Sequence, residues 1–265
     1  MGVWATRRQL SFILIFILLL IFLFVLVIAI NRPVPTCGDF LANQGELGTD
    51  CGGPCTRVCS VETNDIIVLW SKVFKVKDGK YDFAAYLENP NPFGLLELEY
   101  KVKIYDTDNI PVKDVSGKTY LNAHERAFIF IPLVDLGFRI PVRAFISFPD
   151  SVEWKRLKGN IKKATLNVSN QKIEQVGEAI ALKANISNDS EFPVASVELS
   201  AFLYDKDANV TNVSQSLLPS LAPSQESKIV FTWPNLTLDS IKSSEIFTRV
   251  NLVDGNTLDD TPALP

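Results

Sequence analysis

Four cysteines, Cys37, Cys51, Cys55 and Cys59, are the densest concentration of reactive side chains in this 265-residue chain. They are its only cysteines, spaced C-x13-C-x3-C-x3-C. Two chemistries suit four clustered thiols. As thiolates they would ligate zinc, but Cys37 has no close mate of the usual zinc spacing. In an oxidising compartment they close two disulfides, with three pairings open. Gly52, Gly53 and Pro54 supply tight turns that let Cys51 and Cys55 approach partners. Disulfides are therefore the expectation, and no metal is expected. Asp39, Asn43, Glu46 and Asp50 carry hard oxygens of the kind calcium takes, but not at the spacing of a calcium loop. They are expected as turn residues in a cross-linked knot too short to bury a core.

The rest of the chain offers little chemistry. His124 is the single histidine, in a turn-like Asn122-Ala123-His124-Glu125 string, and Glu125 is its close acidic neighbour. A general base or metal ligand needs more company than that. Nucleophile-elbow, zinc-protease and phosphate-loop patterns are absent from the sequence. Trp70, Trp154 and Trp233 stand at strand-like positions, where tryptophan serves as core. Catalytic residues and cofactors are thus not expected, and a hydrolase ranks third among the functional readings. Six N-x-S/T sequons, Asn167, Asn185, Asn188, Asn209, Asn212 and Asn235, lie in the C-terminal part. They are glycosylation candidates in a competent host. The net charge of −4 and the lack of a dense Lys/Arg patch argue against a nucleic-acid partner.

The elements that must position these residues begin with Leu10–Ile30, an uncharged run whose only polar side chain is Ser11. As a helix, twenty-one residues reach ~30 Å, the thickness of a bilayer core. Arg7 and Arg8 precede it and Arg32 follows nearly alone, which predicts a cytoplasmic N-terminus. Cleavage after Ala29 is the alternative, but the run exceeds the apolar region of a signal peptide, so an uncleaved anchor is expected. Beyond Val61 the pattern turns to strands: Ile66–Trp70, Tyr81–Leu87, Leu96–Tyr105, Ala127–Ile131 and Arg143–Phe148. The second half replays three of them, at Ala179–Ile186, Val197–Asp205 and Glu226–Phe231. Asn89/Asn188, Phe93/Phe192 and Tyr105/Tyr204 are each 99 residues apart, and Glu125/Glu226 are 101 apart. Agreement in order and spacing predicts a tandem duplication, with a boundary near Lys158-Gly159-Asn160. A linker that short predicts a rod rather than two free beads.

Two resemblances add to this. The string Cys37-Gly38-Asp39, Asn43-Gln44-Gly45-Glu46, Asp50-Cys51-Gly52-Gly53-Pro54-Cys55 resembles a small cysteine module of exported cell-surface proteins. It departs at Phe40, where that module has glycine, at Leu47, where it has threonine, and at Cys59, one residue late. Phe202-Leu203-Tyr204-Asp205 resembles the FxLYD-type sandwich, and Asn89-Pro90-Asn91-Pro92 is similar to the water-stress (late embryogenesis abundant) group. That resemblance implies an all-β fold in exported proteins and no chemistry.

The expected fold is all-β: two tandem immunoglobulin/fibronectin III-like β-sandwiches after one transmembrane helix and a disulfide-rich segment. The expected parts are a cytoplasmic N-terminus (1–9), the span (10–30), a cysteine-rich stalk (31–60), sandwiches at 61–158 and 159–254, and a tail (255–265). The expected function is non-enzymatic, structural or binding, at the cell envelope. The alternative is an accessory subunit of a secretion or pilus-type assembly that uses the span as a contact. Expected partners are the lipid bilayer and another envelope or surface protein.

Overall fold

The computed structural model describes residues 3–30, 36–156 and 163–254; within the helix, side chains are described from Phe12 to Ile28. The expected boundary at 158–160, the first stalk residues and the 255–265 tail lie outside these. The helix α1 (Val3–Ile30) spans 28 residues. It begins seven residues before the expected span, because Val3–Gln9 hold no helix breaker to stop it. Among the described residues no helix is long and apolar enough to cross a membrane. The described apolar side chains cover Phe12–Ile28, only ~25 Å of helix, whereas the α1 backbone is ~42 Å long.

Among the described residues, twelve strands follow in antiparallel sheets of three. β1 (Ile67–Lys77), β2 (Lys80–Glu88) and β5 (Arg126–Asp135) form sheet I in the order β1-β2-β5. β3 (Leu95–Asp106), β4 (Pro111–Leu121) and β6 (Pro141–Ser147) form sheet II in the order β4-β3-β6. β7 (Leu166–Val176), β8 (Ala179–Asn188) and β11 (Glu226–Pro234) form sheet III as β7-β8-β11. β9 (Val194–Tyr204), β10 (Val210–Leu221) and β12 (Ser243–Arg249) form sheet IV as β10-β9-β12. Adding six to each strand number of the first half reproduces the pairing of the second, so the duplication seen as spacing is also one of topology.

Four of the twelve strands among the described residues, β4, β7, β10 and β12, are not legible as strands in the sequence. Each is a sheet edge. Edge strands carry polar residues and breaks, here Gly117, Asn170 and Pro219, and lose the apolar alternation that marks a strand. The segment after Val61 starts differently too: Ser60–Glu62 is a 3-10 turn, and the first strand begins at Ile67 and runs to Lys77.

Sheets I and II face each other across Phe83, Leu87, Val102 and Ile104, among others. Sheets III and IV do so across Ile180, Leu182, Leu199 and Leu203. A further cluster, Phe74, Ala84, Phe128, Phe202 and Val213, joins the outer faces of sheets I and IV. The layers therefore run II, I, IV, III, with an apolar seam between each neighbouring pair. This differs from the rod expected of two short-linked units. The reason lies in β2 and β9: Ala84 and Tyr86, and Phe202 and Tyr204, are apolar or aromatic on the face away from each unit's own core. Such a face packs against its twin rather than facing water. Phe128 sits with ring centroids 4.1 Å from both Tyr86 and Phe202, and Trp70 lies 6.4 Å from Phe202.

Candidate functional site

The cysteine knot closes as Cys37–Cys55 and Cys51–Cys59, with Cα–Cα distances of 5.6 and 5.2 Å. One of the three open pairings is thereby selected, and all four thiols are used. Cys37, Cys55 and Glu46 do bring ligand-type atoms within 4.8 Å of one another, but both sulfurs are spent on their mutual bond. Glu46 Oε1 lies 3.0 Å from Cys55 Sγ. A disulfide sulfur has no proton, so this is a contact rather than a hydrogen bond.

The oxygen donors serve the backbone. The Asp50 carboxylate accepts from Asp39 N and Phe40 N at 3.0 Å each. Asp39 accepts from Leu41 N and the Asn43 amide. Donation from Asn43, followed by the Leu41 and Thr36 N–H groups, holds the Asp39 carboxyl below the usual range against a smaller opposing effect of burial. Glu46 Oε2 accepts from Asn43 N and Asp50 N. These carboxylates thus stand in for the secondary structure that so short a segment lacks. Asn43 Oδ1 is buried without a partner.

The residues that the fold does gather into a site are asparagines. Asn64 N donates to Asn91 Oδ1, and Asn91 Nδ2 donates back to Asn64 O and to Asn89 Oδ1. Asn89 Nδ2 donates to Phe93 O and Asn122 O, both at 2.7 Å. Asn122 Nδ2 donates to Val250 O and Glu125 Oε1, while Asn122 Oδ1 accepts from Leu252 N at 2.7 Å. One chain of hydrogen bonds thus ties the segment entering β1, the first sheet pair and the end of the second. Beside it, the Arg249 guanidinium, its side chain 10% exposed, pairs with Glu125 at 3.1 Å and Glu198 at 3.2 Å. It also lies 3.7 Å over the Tyr120 ring and donates to Tyr120 O. Burial raises the Glu198 carboxyl, with Arg249 opposing, and raises the Tyr120 hydroxyl.

The second unit repeats the turn without the docking. Asn188 Nδ2 donates to Phe192 O and Leu221 O, as Asn89 does to Phe93 O and Asn122 O. Strand register aligns Arg126 with Glu226, so the counterpart of Glu125 is Gln225 and not the Glu226 that the 101-residue spacing suggests, and that of Asn122 is Ala222. Gln225 Oε1 accepts from Ala222 N and carries no charge. The amide and carboxylate of the first unit are the divergence that receives Arg249 and Leu252. Sequence reasoning found Asn89 and Asn188 through their 99-residue offset. It missed Asn122 and Arg249, for which the Asn122/Ala222 and Glu125/Gln225 differences were the available signal.

The remaining candidates are dispersed. His124 is exposed on a turn at φ 50°, its N–H donating to Asn91 O. Trp154 and Trp233 are buried core residues as expected, whereas Trp70 belongs to the seam between sheets I and IV. Of the sequons, Asn167, Asn209 and Asn235 are exposed, and Asn185 and Asn212 are half-buried. Asn188 is 0% exposed with its amide committed to two carbonyls, so it is closed to modification in the folded chain. An open groove of about 690 Å³ beside Tyr100 and Gly117, flanked by Lys101 and Lys118, gathers no nucleophile–base pair.

No family model and no curated protein matches the chain. Among solved structures, a red sea bream transglutaminase is similar over 71% of this chain at 11% identity, TM-score 0.24. This chain spans 31% of that enzyme. The tandem CBM22-1-CBM22-2 domain of Paenibacillus barcinonensis Xyn10C is similar over 73% of this chain and 92% of its own length, at 8% identity and TM-score 0.16. Likeness this low carries neither fold nor function.

Proposed function

We propose that the protein is a membrane-anchored, extracytoplasmic, non-enzymatic binding or structural protein of the cell envelope. In this reading its two sheet pairs are immunoglobulin/fibronectin III-like sandwiches. The observation that carries it is α1: every described side chain from Phe12 to Ile28 is apolar, and each is 42 to 67% exposed. An apolar surface of that extent on a helix calls for lipid around it. The two disulfides fit an oxidising compartment beyond the membrane.

The pole of the first sheet pair away from the knot is built for display. Phe138 is 105% exposed on the turn between β5 and β6. Arg139 fixes that turn by a 2.8 Å ion pair to Asp106, and Leu136 N donates to Gly79 O. A rigid turn that presents a bare aromatic suits capture of a protein partner.

Alkaline carbonate extraction of cell membranes, with protease digestion of intact cells, tests this reading. The chain should stay in the pellet and its β body should be digested from outside. Release into the supernatant, or a protected β body, refutes it. Turnover in a panel of hydrolase substrates would sink the non-enzymatic part.

A further inference from the structure

We propose that the cysteine knot is a second membrane contact, in which the Phe40-Leu41 turn inserts into the lipid interface of the leaflet where α1 emerges. The inference rests on the anchored reading above. Phe40 is 84% exposed and Leu41 56% exposed, adjacent on one turn. Phe40 has φ 60°, a left-handed conformation that a bulky side chain disfavours. The fold nevertheless fixes it there. Asp50, 7% exposed and next to the Cys51–Cys59 bridge, accepts from both Asp39 N and Phe40 N, and Leu41 N donates to Asp39. A strained, well-bonded turn thus holds an aromatic and a leucine side chain out of the protein. Neither is part of a described core cluster.

The occupant follows from chain length. Five residues separate Ile30 from Thr36, so the knot begins at most about 20 Å from the end of α1, even with that stretch fully extended. With α1 spanning a bilayer, that tether is short enough for the turn to lie among the headgroups, where an exposed Phe-Leu pair partitions into the acyl boundary. Charge points to an apolar contact. From Cys37 to Thr56 there is no lysine or arginine, and the carboxylates of Asp39, Glu46 and Asp50 are directed at backbone N–H groups. Zwitterionic lipid should therefore suffice, with little gain from anionic lipid or from low salt.

The test uses the full chain reconstituted into phosphatidylcholine vesicles, with a benzophenone-bearing phenylalanine analogue placed singly at Phe40, Phe138 or Phe16. Non-reducing mass spectrometry confirms both disulfides in each sample before irradiation. Phe138 is the control for an equally bare ring at the opposite pole, and Phe16 for the helix. Lipid adducts are expected at Phe16 and at Phe40, with Phe40 at least about fivefold above Phe138, as for a side chain in the interface against one in water. If Phe16 labels lipid and Phe40 stays at the Phe138 level, the insertion is refuted and the anchored reading stands. If Phe16 also gives no lipid adduct, both fall. A Phe40 yield that appears only when phosphatidylglycerol is added would overturn the apolar mode.

Discussion

Replacing Arg249 with methionine tests the lock between the two sheet pairs. The substitution keeps the apolar stem and removes the guanidinium that lies 3.1 Å from Glu125, 3.2 Å from Glu198 and 3.7 Å over Tyr120. Glu125 and Glu198 are left facing each other, partly buried and without a cation. Breaking a buried pair on one side costs ~3–5 kcal/mol. With a urea slope near the upper end of ~1–3 kcal/mol/M for a body of this size, the unfolding midpoint should fall by about 1–2 M. Trp70 emission is the probe, because that ring stands in the seam 6.4 Å from Phe202. The pH dependence gives a second reading. Burial raises the folded-state pKa of Glu198, so its contribution favours folding at low pH and is lost as pH rises through that value. Without Arg249 the carboxyl rises further, since the opposing cation is gone. The deficit of R249M should thus be largest at pH 7 and smaller at pH 5. The triple variant R249M/E125Q/E198Q, which removes the charges together, should recover most of the loss. A midpoint shift under ~0.3 M, a deficit unchanged between pH 7 and pH 5, or a triple variant as weak as R249M would refute this account.

Asn89→Ala strands two buried carbonyls, Phe93 O and Asn122 O, at ~1–3 kcal/mol each, and Asn188→Ala does the same to Phe192 O and Leu221 O. Hydrogen exchange should separate them: N89A speeds exchange at Leu252 through Asn122, and N188A leaves it unchanged. Non-reducing peptide mapping should recover Cys37–Cys55 and Cys51–Cys59 as the linked pairs. By loop entropy, removing the Cys37–Cys55 bridge costs about 3 kcal/mol, and removing the Cys51–Cys59 bridge somewhat less. In a glycosylating host, glycopeptide analysis should find sugar at some of Asn167, Asn209 and Asn235 and none at Asn188; an Asn188 glycan on folded protein would contradict its burial.

Much of the architecture can be read from particular residues. The alternation of Leu95–Asp106 marks β3 because one face is core and the other water. The 99-residue offset exposes the duplication because a fold repeats its turn asparagines along with its strands. The stacking of the units is not legible in the same way. An apolar residue on the second face of β2 or β9 looks like any buried strand position, and nothing local says whether lipid, a partner or the sister unit covers it. Polar docking is harder still to read. Asn122, Glu125 and Arg249 are ordinary surface residue types, 127 positions apart between Asn122 and Arg249, and only the folded chain brings them together. In the knot, acidic residues at uneven spacing resemble ion ligands until their partners prove to be backbone N–H groups.

The asparagine chain has a mechanical consequence. Asn64, at the entry to the β body, and Leu252, at its exit, bond into the same cluster through Asn91, Asn89 and Asn122. Entry and exit therefore share one pole. A pull on the exit against an anchored entry does not load the two units in series, as it would in a string of beads. It bears first on the contacts of Asn122 and Arg249, which act as a latch shielding both cores. Force–extension curves should show a small early release, followed by the larger ruptures of the sheet pairs. The turn carrying Phe138, at the far pole, would stay folded through that first step.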